Sequence, residues 1–81
     1  MKISEIVWRL NLIFREVFDD DSINITLKMA AVDIALWDSL NNIRLMISIE
    51  EAFGIRFDTA EITGFSNVGE IVQAISDKSA K

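Results

Sequence analysis

Apolar side chains recur at helical spacing near both ends of this 81-residue chain, which contains no proline. Near the start the pattern comprises Ile3, Ile6, Val7, Leu10, Ile13, Phe14 and Val17. Near the end it comprises Val68, Ile71, Val72 and Ile75. This spacing places one apolar stripe on each helix, and the absence of proline leaves the helix interiors intact. The sequence therefore predicts an all-α protein.

The first helix is predicted over residues 2–18, and Trp8, Leu12 and Phe18 widen its apolar stripe, which predicts contact on more than one face. Three acidic residues follow at 19–21. Acidic side chains are unfavourable at the negative C-terminal end of a helix dipole, so they predict that the first helix ends there. Residues 19–37 form a long connection. We interpret it as an extended loop that tucks its alternating apolar side chains under the helices, with a short helical turn between residues 29 and 36. These side chains are Ile23, Ile25 and Leu27.

A second helix is predicted over residues 39–53, with Gly54 in the left-handed conformation that closes a helix. Its inward face is expected to carry Leu45, Ile49 and Phe53, which leaves Leu40 and Ile47 on a more exposed side. Capping-box patterns at residues 58–61 and 67–70 predict a short third helix, ending near Gly64, and a fourth helix. Lys78 and Lys81 fall near the end of the fourth helix, where cations are favoured.

The composition excludes several classes of function. A net charge of −5, from 13 acidic and 8 basic residues, makes nucleic acid an unsuitable partner. The chain has no histidine and no cysteine, so the usual metal sites and disulfides are excluded. Polar residues in the apolar N-terminal stretch argue against membrane insertion and a signal peptide. We therefore expect a cytoplasmic protein, monomeric by default.

Asp38-Ser39-Leu40 stands at the start of the second predicted helix. On the simplest interpretation, Asp38 or Ser39 only caps that helix. The same geometry offers an exposed hydroxyl beside unpaired backbone N–H groups, where a phosphodiester would be stabilised. A catalytic serine would need an adjacent base, and without histidine the triad arrangement fails. We therefore predict no enzymatic activity.

Together with the helix after it and the run at residues 50–55, this motif resembles the acyl carrier protein family. The resemblance covers nearly the whole chain and implies one domain over residues 1–81, a four-helix bundle with a long first loop. It implies that Ser39 carries a 4′-phosphopantetheine arm, taken from coenzyme A by a phosphopantetheinyl transferase. The arm would hold acyl, aminoacyl or polyketide groups as thioesters. Any Mg²⁺ would belong to the transferase complex.

The resemblance also implies roles for further residues. Enzymes that load the arm or accept its acyl group would recognise Asp38, Leu40, Arg44, Ile47 and Glu51. Some family members bury the acyl chain between helices, and the lining predicted here is Leu45, Ile49, Ile62 and Ile71. Both assignments rest on analogy with the family.

The chain departs from the usual fatty-acid carrier beside the serine. Asn41 and Arg44 occupy positions where the family often has acids, so a basic partner would meet an interrupted field. Leu36-Trp37 replaces the commoner glycine-containing turn, and Trp37 followed by Asp-Ser-Leu resembles the motif of specialised carriers, including D-alanyl and secondary-metabolite carriers. These departures favour a dedicated lipid or secondary-metabolite pathway over bulk fatty acid biosynthesis.

Two other classes stay open from the sequence. In an unmodified helical interaction module, Ser39 would be only a cap, and its replacement by alanine would leave the function intact. A membrane-surface helix formed by the first segment is disfavoured by its few basic residues and by the overall acidity. Replacement of Ser39 separates the carrier from the interaction module.

Overall fold

Four α-helices and one short 3₁₀ helix form the protein in a computed structural model that describes residues 1–79. Helix α1 spans Ile3–Val17, α2 Ser39–Phe53, α3 Thr59–Gly64 and α4 Val68–Ser79, with the 3₁₀ helix at Ala31–Asp33. Strands do not occur within these residues. The predicted all-α four-helix bundle is confirmed, including its short third helix and the helical turn in the long loop. Lys81 lies outside the described residues.

The core lies between α1, α2 and α4, which contribute most of the fully buried apolar side chains. These are Ile6, Leu10, Phe14, Leu45, Met46, Ile49, Val68, Ile71, Val72 and Ile75. Each set recurs every three or four residues along its helix, which is why one stripe of each helix is removed from water. The apolar stripes that the sequence predicted on α1 and α4 therefore share one core with the stripe of α2.

The long loop is held against both α1 and α4 through its backbone. Arg15 on α1 donates to the carbonyl of Ile23 (2.7 Å), and the Asn11 side chain accepts from the Ile25 N–H (2.8 Å). On the other side, the carbonyl of Leu27 accepts from the Gly69 N–H (2.8 Å). These bonds satisfy polar groups that a buried loop would otherwise leave unpaired.

Four side chains are less buried than the sequence predicted. Ile23 and Ile25 are buried as predicted, but Leu27 is half exposed, and its contact with α4 includes the bond between its carbonyl and the Gly69 N–H. Trp8 and Leu12 are exposed, since the buried stripe of α1 is narrower than the sequence suggested. Phe53 is only partly buried, with the Arg9 guanidinium 4.3 Å from its ring centroid.

The predicted helix caps are largely present. Gly54 ends α2 with φ of 65°, in the left-handed region that glycine adopts without strain. Asp58 and Glu61 form the predicted reciprocal capping box on α3. At α4 only half of the predicted box forms. Asn67 accepts from the Glu70 N–H, whereas the Glu70 carboxylate accepts from the Ser66 N–H.

Candidate phosphopantetheine attachment site

Ser39 is the first residue of α2, and it is exposed. Asp38, immediately before it, is the N-cap: its side chain accepts from the Asn41 N–H at 2.8 Å. The backbone carbonyl of Asp38 accepts from the Asn42 N–H, also at 2.8 Å. Because Asp38 alone supplies the cap, the Ser39 hydroxyl is not needed to hold the helix start.

The groups around the Ser39 hydroxyl suit a phosphodiester. Among residues 1–79, no hydrogen bond engages that hydroxyl or the backbone N–H groups of Ser39 and Leu40. The two N–H groups belong to the first turn of a 15-residue helix, where the dipole is positive. Two donors and a favourable field are therefore available to phosphate oxygens next to an accessible nucleophile.

Trp37 anchors the segment before Ser39 to α1 and α2. Its ring packs edge-on against Phe14, with centroids 5.3 Å apart, and its indole N–H donates to Asn42 Oδ1 at 2.9 Å. Asn42 in turn donates to the carbonyl of Ile62 on α3, at 3.2 Å. Sequence reasoning did not identify this link, because Trp37 meets Phe14 on α1 and Asn42 meets Ile62 on α3 only once the helices pack together. Trp37 and Asn42 thus tie the serine turn to the core and to α3.

An outward surface of α2 follows Ser39. Leu40 is 67% exposed, Ile43 52% and Ile47 50%, and Arg44 is also exposed among them. We call these four residues the α2 surface. The exposure predicted for Leu40 and Ile47 is confirmed. Ile43 was missed, although its spacing of three from Leu40 and four from Ile47 would have placed it on the same side.

The remaining predicted recognition residues lie at the two ends of α2. Asp38 uses one carboxylate oxygen as the helix cap, and Glu51 is exposed one turn beyond Ile47. Glu50 differs from a simple surface charge: its carboxylate accepts from the Phe57 N–H at 2.8 Å and holds the chain after α2. The structure thus brings Ser39, Asp38 and Leu40 together and leaves Glu51 at the far end of the helix.

The four residues predicted to line an acyl chain lie in or against the core. Leu45, Ile49 and Ile71 are fully buried, and Ile62 on α3 is half buried and packed against the core cluster. These four side chains come from α2, α3 and α4 and all belong to the core cluster or pack against it. Their role toward an acyl chain stays a prediction.

Two carboxyl groups have lowered pKa values, Asp20 in the loop after α1 and Glu61 near the start of α3. The pKa of Asp20 is lowered by hydrogen bonds from the hydroxyl and backbone N–H of Ser22. The pKa of Glu61 is lowered first by the backbone N–H of Asp58 and then by Lys78, whose ammonium is 3.0 Å away. Donors stabilise the charged carboxylate in each case. Neither group belongs to the attachment site, so their shifts reflect local structure.

Residues 13–75 match the sequence model of the phosphopantetheine attachment site family. This stretch includes α2 and spans well over half of the chain. The chain belongs to the acyl carrier protein family. Its prosthetic group is 4′-phosphopantetheine, and proteins of this family are carriers, not enzymes. The exposed serine and its neighbouring N–H groups fit the phosphate end of that group.

Curated relatives and a solved structure support the same assignment. The acyl carrier protein of Caulobacter vibrioides is 32% identical over 77 residues, covering 95% of this chain and 99% of the relative. That of Thermotoga maritima is 31% identical over 74 residues, covering 91% of both. The solution structure of holo acyl carrier protein from Geobacter metallireducens superposes with a TM-score of 0.86 at 40% identity, covering 91% of this chain and 85% of that one.

The family also sets the general class of partners. Acyl carrier proteins interact with phosphopantetheinyl transferases and with acyl-handling enzymes. Within residues 1–79, none of the helices has the length and apolarity needed to span a membrane.

Proposed function

We propose that Ser39 is the attachment position of the 4′-phosphopantetheine arm. The observation that carries this proposal is the exposed Ser39 hydroxyl, which is not used as a cap, at the start of α2. The N–H groups of the first turn would stabilise the phosphodiester once formed. Acyl, aminoacyl or polyketide intermediates would then be held as thioesters on the arm and delivered to partner enzymes at high effective concentration.

Attachment of the arm requires no catalytic residue from this chain. A bond forms between Ser39 Oγ and the phosphorus of coenzyme A next to the pantetheine. The pyrophosphate bond breaks, adenosine 3′,5′-bisphosphate leaves, and the hydroxyl proton passes to a base of the transferase. What this chain contributes is an accessible hydroxyl on a rigid helix start, and the positive end of a helix dipole near the phosphate.

Intact mass spectrometry tests the attachment position. Wild type, Ser39→Ala and Ser66→Ala are incubated with coenzyme A, Mg²⁺ and a broad-specificity phosphopantetheinyl transferase. Ser66 is the matched control, because it is an exposed serine near the start of another helix. We expect one added phosphopantetheine group in wild type and Ser66→Ala and none in Ser39→Ala. Addition to Ser39→Ala would refute the assignment, and addition to none of the three would favour an unmodified interaction module.

We also propose that transferases and acyl-handling enzymes recognise Asp38, Leu40, Arg44, Ile47 and Glu51. The support is exposure: Leu40 and Ile47 are large apolar side chains in contact with solvent, and both flank Arg44 on α2. Single exposed apolar residues are common, but several on one helix side next to a modification site suit protein contact. Alanine at Leu40 or Ile47 should raise KM for the transferase more than it lowers kcat.

We further propose a dedicated lipid or secondary-metabolite pathway, and a cytoplasmic location. The support for the pathway is local: Asn41 and Arg44 stand where acids are frequent in fatty-acid carriers, and Trp37 precedes the motif. A ketosynthase of bulk fatty acid synthesis should therefore elongate the acetylated holo-protein poorly compared with its own carrier. Elongation at an equal rate would contradict the proposal.

Leu45, Ile49, Ile62 and Ile71 are proposed to line an acyl chain that enters the bundle. They are apolar and belong to or pack against the core cluster, so an acyl chain among them would be removed from water. A chain buried in this way stabilises the fold. The melting temperature of octanoyl holo-protein should then exceed that of acetyl holo-protein. Equal melting temperatures would indicate a chain that stays in solvent.

A further inference from the structure

The α2 surface carries a charge of the opposite sign from that of the whole chain, although the cap residue before Ser39, Asp38, is acidic. The net charge is −5, yet the first turn of α2 holds no acidic residue and the α2 surface carries one charge, that of Arg44. Residues three and four positions away on the helix are Leu40, Asn41, Ile47 and Ser48, none of them charged. Helix neighbours therefore leave the charge of Arg44 uncompensated.

Contacts from elsewhere do not neutralise Arg44 either. Within residues 1–79 its guanidinium forms no ion pair, and its one polar contact is a long one, 3.5 Å, to Asn41 Oδ1. The nearest acidic side chain along α2 toward its C-terminal end, Glu50, accepts a hydrogen bond from the Phe57 N–H. Glu51 lies two turns away from Arg44 along the helix. Arg44 is thus an unpaired cation flanked by the exposed apolar side chains of the α2 surface.

A partner that covers this surface must deal with that cation. Contact with Leu40, Ile43 and Ile47 would exclude water around Arg44 and weaken the solvation of its charge. A lysine or arginine on the partner would repel Arg44. A carboxylate would instead compensate for the lost solvation by accepting a bidentate hydrogen bond from the guanidinium. Arginine is also among the residues that are enriched at protein–protein interfaces relative to the rest of the surface.

We propose that Arg44 selects the partners of this carrier: they present an apolar docking surface with a carboxylate facing Arg44, and partners with a basic docking surface are disfavoured. The inference rests on the proposed function, because it places this docking surface next to the arm on Ser39. It goes further by stating the charge of the partner. Arg44 would then weaken the attraction that Asp38 and Glu51 exert on a basic enzyme surface.

A charge swap tests the proposal. The enzyme is a phosphopantetheinyl transferase with a basic docking surface, used beside a variant in which one basic residue of that surface is replaced by glutamate. The carriers are wild type, Arg44→Glu, Arg44→Gln and Lys2→Glu. Lys2 is the matched control, because it is an exposed cation at the start of α1. Arg9 of that helix contacts Ala52 at the C-terminal end of α2, so the start of α1 lies away from Ser39. Values of kcat/KM are measured at low and at high salt.

With the basic enzyme, kcat/KM should rise by about three- to tenfold for Arg44→Glu, less for Arg44→Gln, and little for Lys2→Glu. With the charge-reversed enzyme the order should invert, so that wild type is the better substrate. High salt should shrink both differences. Circular dichroism of each variant verifies that the fold is kept.

Two results would overturn the proposal: equal rates for Arg44→Glu and Lys2→Glu with both enzymes, or a wild-type rate that salt lowers as steeply as that of Arg44→Glu. Failure of the proposed function would look different. In that case the broad-specificity transferase would add no arm to wild type at all, whatever residue occupies position 44.

Discussion

The indole N–H of Trp37 donates to the side-chain oxygen of Asn42 at 2.9 Å, across the turn that contains Ser39. Trp37 lies before the turn and Asn42 lies one helical turn into α2, so the bond closes the segment on itself. The amide of Asn42 then reaches the carbonyl of Ile62. One residue therefore connects the turn before Ser39, the helix after it and α3.

Replacing Trp37 by phenylalanine should lower the free energy of unfolding by about 1 to 2 kcal/mol, because a partly buried acceptor loses its donor and the smaller ring fills less space. Trp8→Phe is the matched control: Trp8 is 68% exposed, so its replacement should change stability by less than about 0.5 kcal/mol. Urea unfolding followed by circular dichroism measures both. Equal losses would mean that the Trp37 bond contributes little.

Asp38→Ala should lower the free energy of unfolding by about 1 kcal/mol, since it removes the side chain that caps α2. Ser39→Ala should change it by less than about 0.5 kcal/mol, because that hydroxyl makes no bond within the described residues. Thermal unfolding of the two variants beside wild type tests the difference. If Ser39→Ala were the more destabilised variant, Ser39 would be the cap and the assignment of roles would be reversed.

Gly69→Ala should destabilise the protein by about 1 kcal/mol even though alanine favours helices. A Cβ at this position would lie 3.0 Å from the carbonyl oxygen of Leu27 and 3.2 Å from Asn67 Oδ1. Gly64→Ala is the control, because a Cβ there meets nothing within 4 Å. Chemical unfolding should show a loss only for Gly69→Ala. A more stable Gly69→Ala would show that the loop moves aside at no cost.

Glu61 should contribute to stability at neutral pH and not in acid. Its pKa is lowered in the folded state by the backbone N–H of Asp58 and by Lys78, so folding favours its charged form. This contribution is complete above the ordinary pKa of the carboxyl and disappears as the pH falls through the lowered value. Wild type should therefore melt at a higher temperature than Glu61→Gln at pH 7, and the gap should close on acidification. A gap that widened in acid would contradict the sign of the shift.

The helices, their ends and the position of Ser39 could be predicted from the sequence because they depend on local interactions. Apolar spacing determines which residues share a helix side, and caps such as Asp38, Asp58 and Gly54 act within three or four residues. The exposure of Leu40 and Ile47 followed from the same spacing once Leu45 and Ile49 were placed inward.

Only the tertiary structure decided which aromatic and charged side chains hold the site. Trp8 and Trp37 are the same residue type, yet one is exposed and the other packs on Phe14 and bonds to Asn42. Likewise, Arg9 reaches the end of α2, whereas Arg44 is left without an ion pair within the described residues. These outcomes depend on how α1, α2 and the long loop cross, which is set by the packing of residues far apart in the chain. Local periodicity carries no information about such contacts.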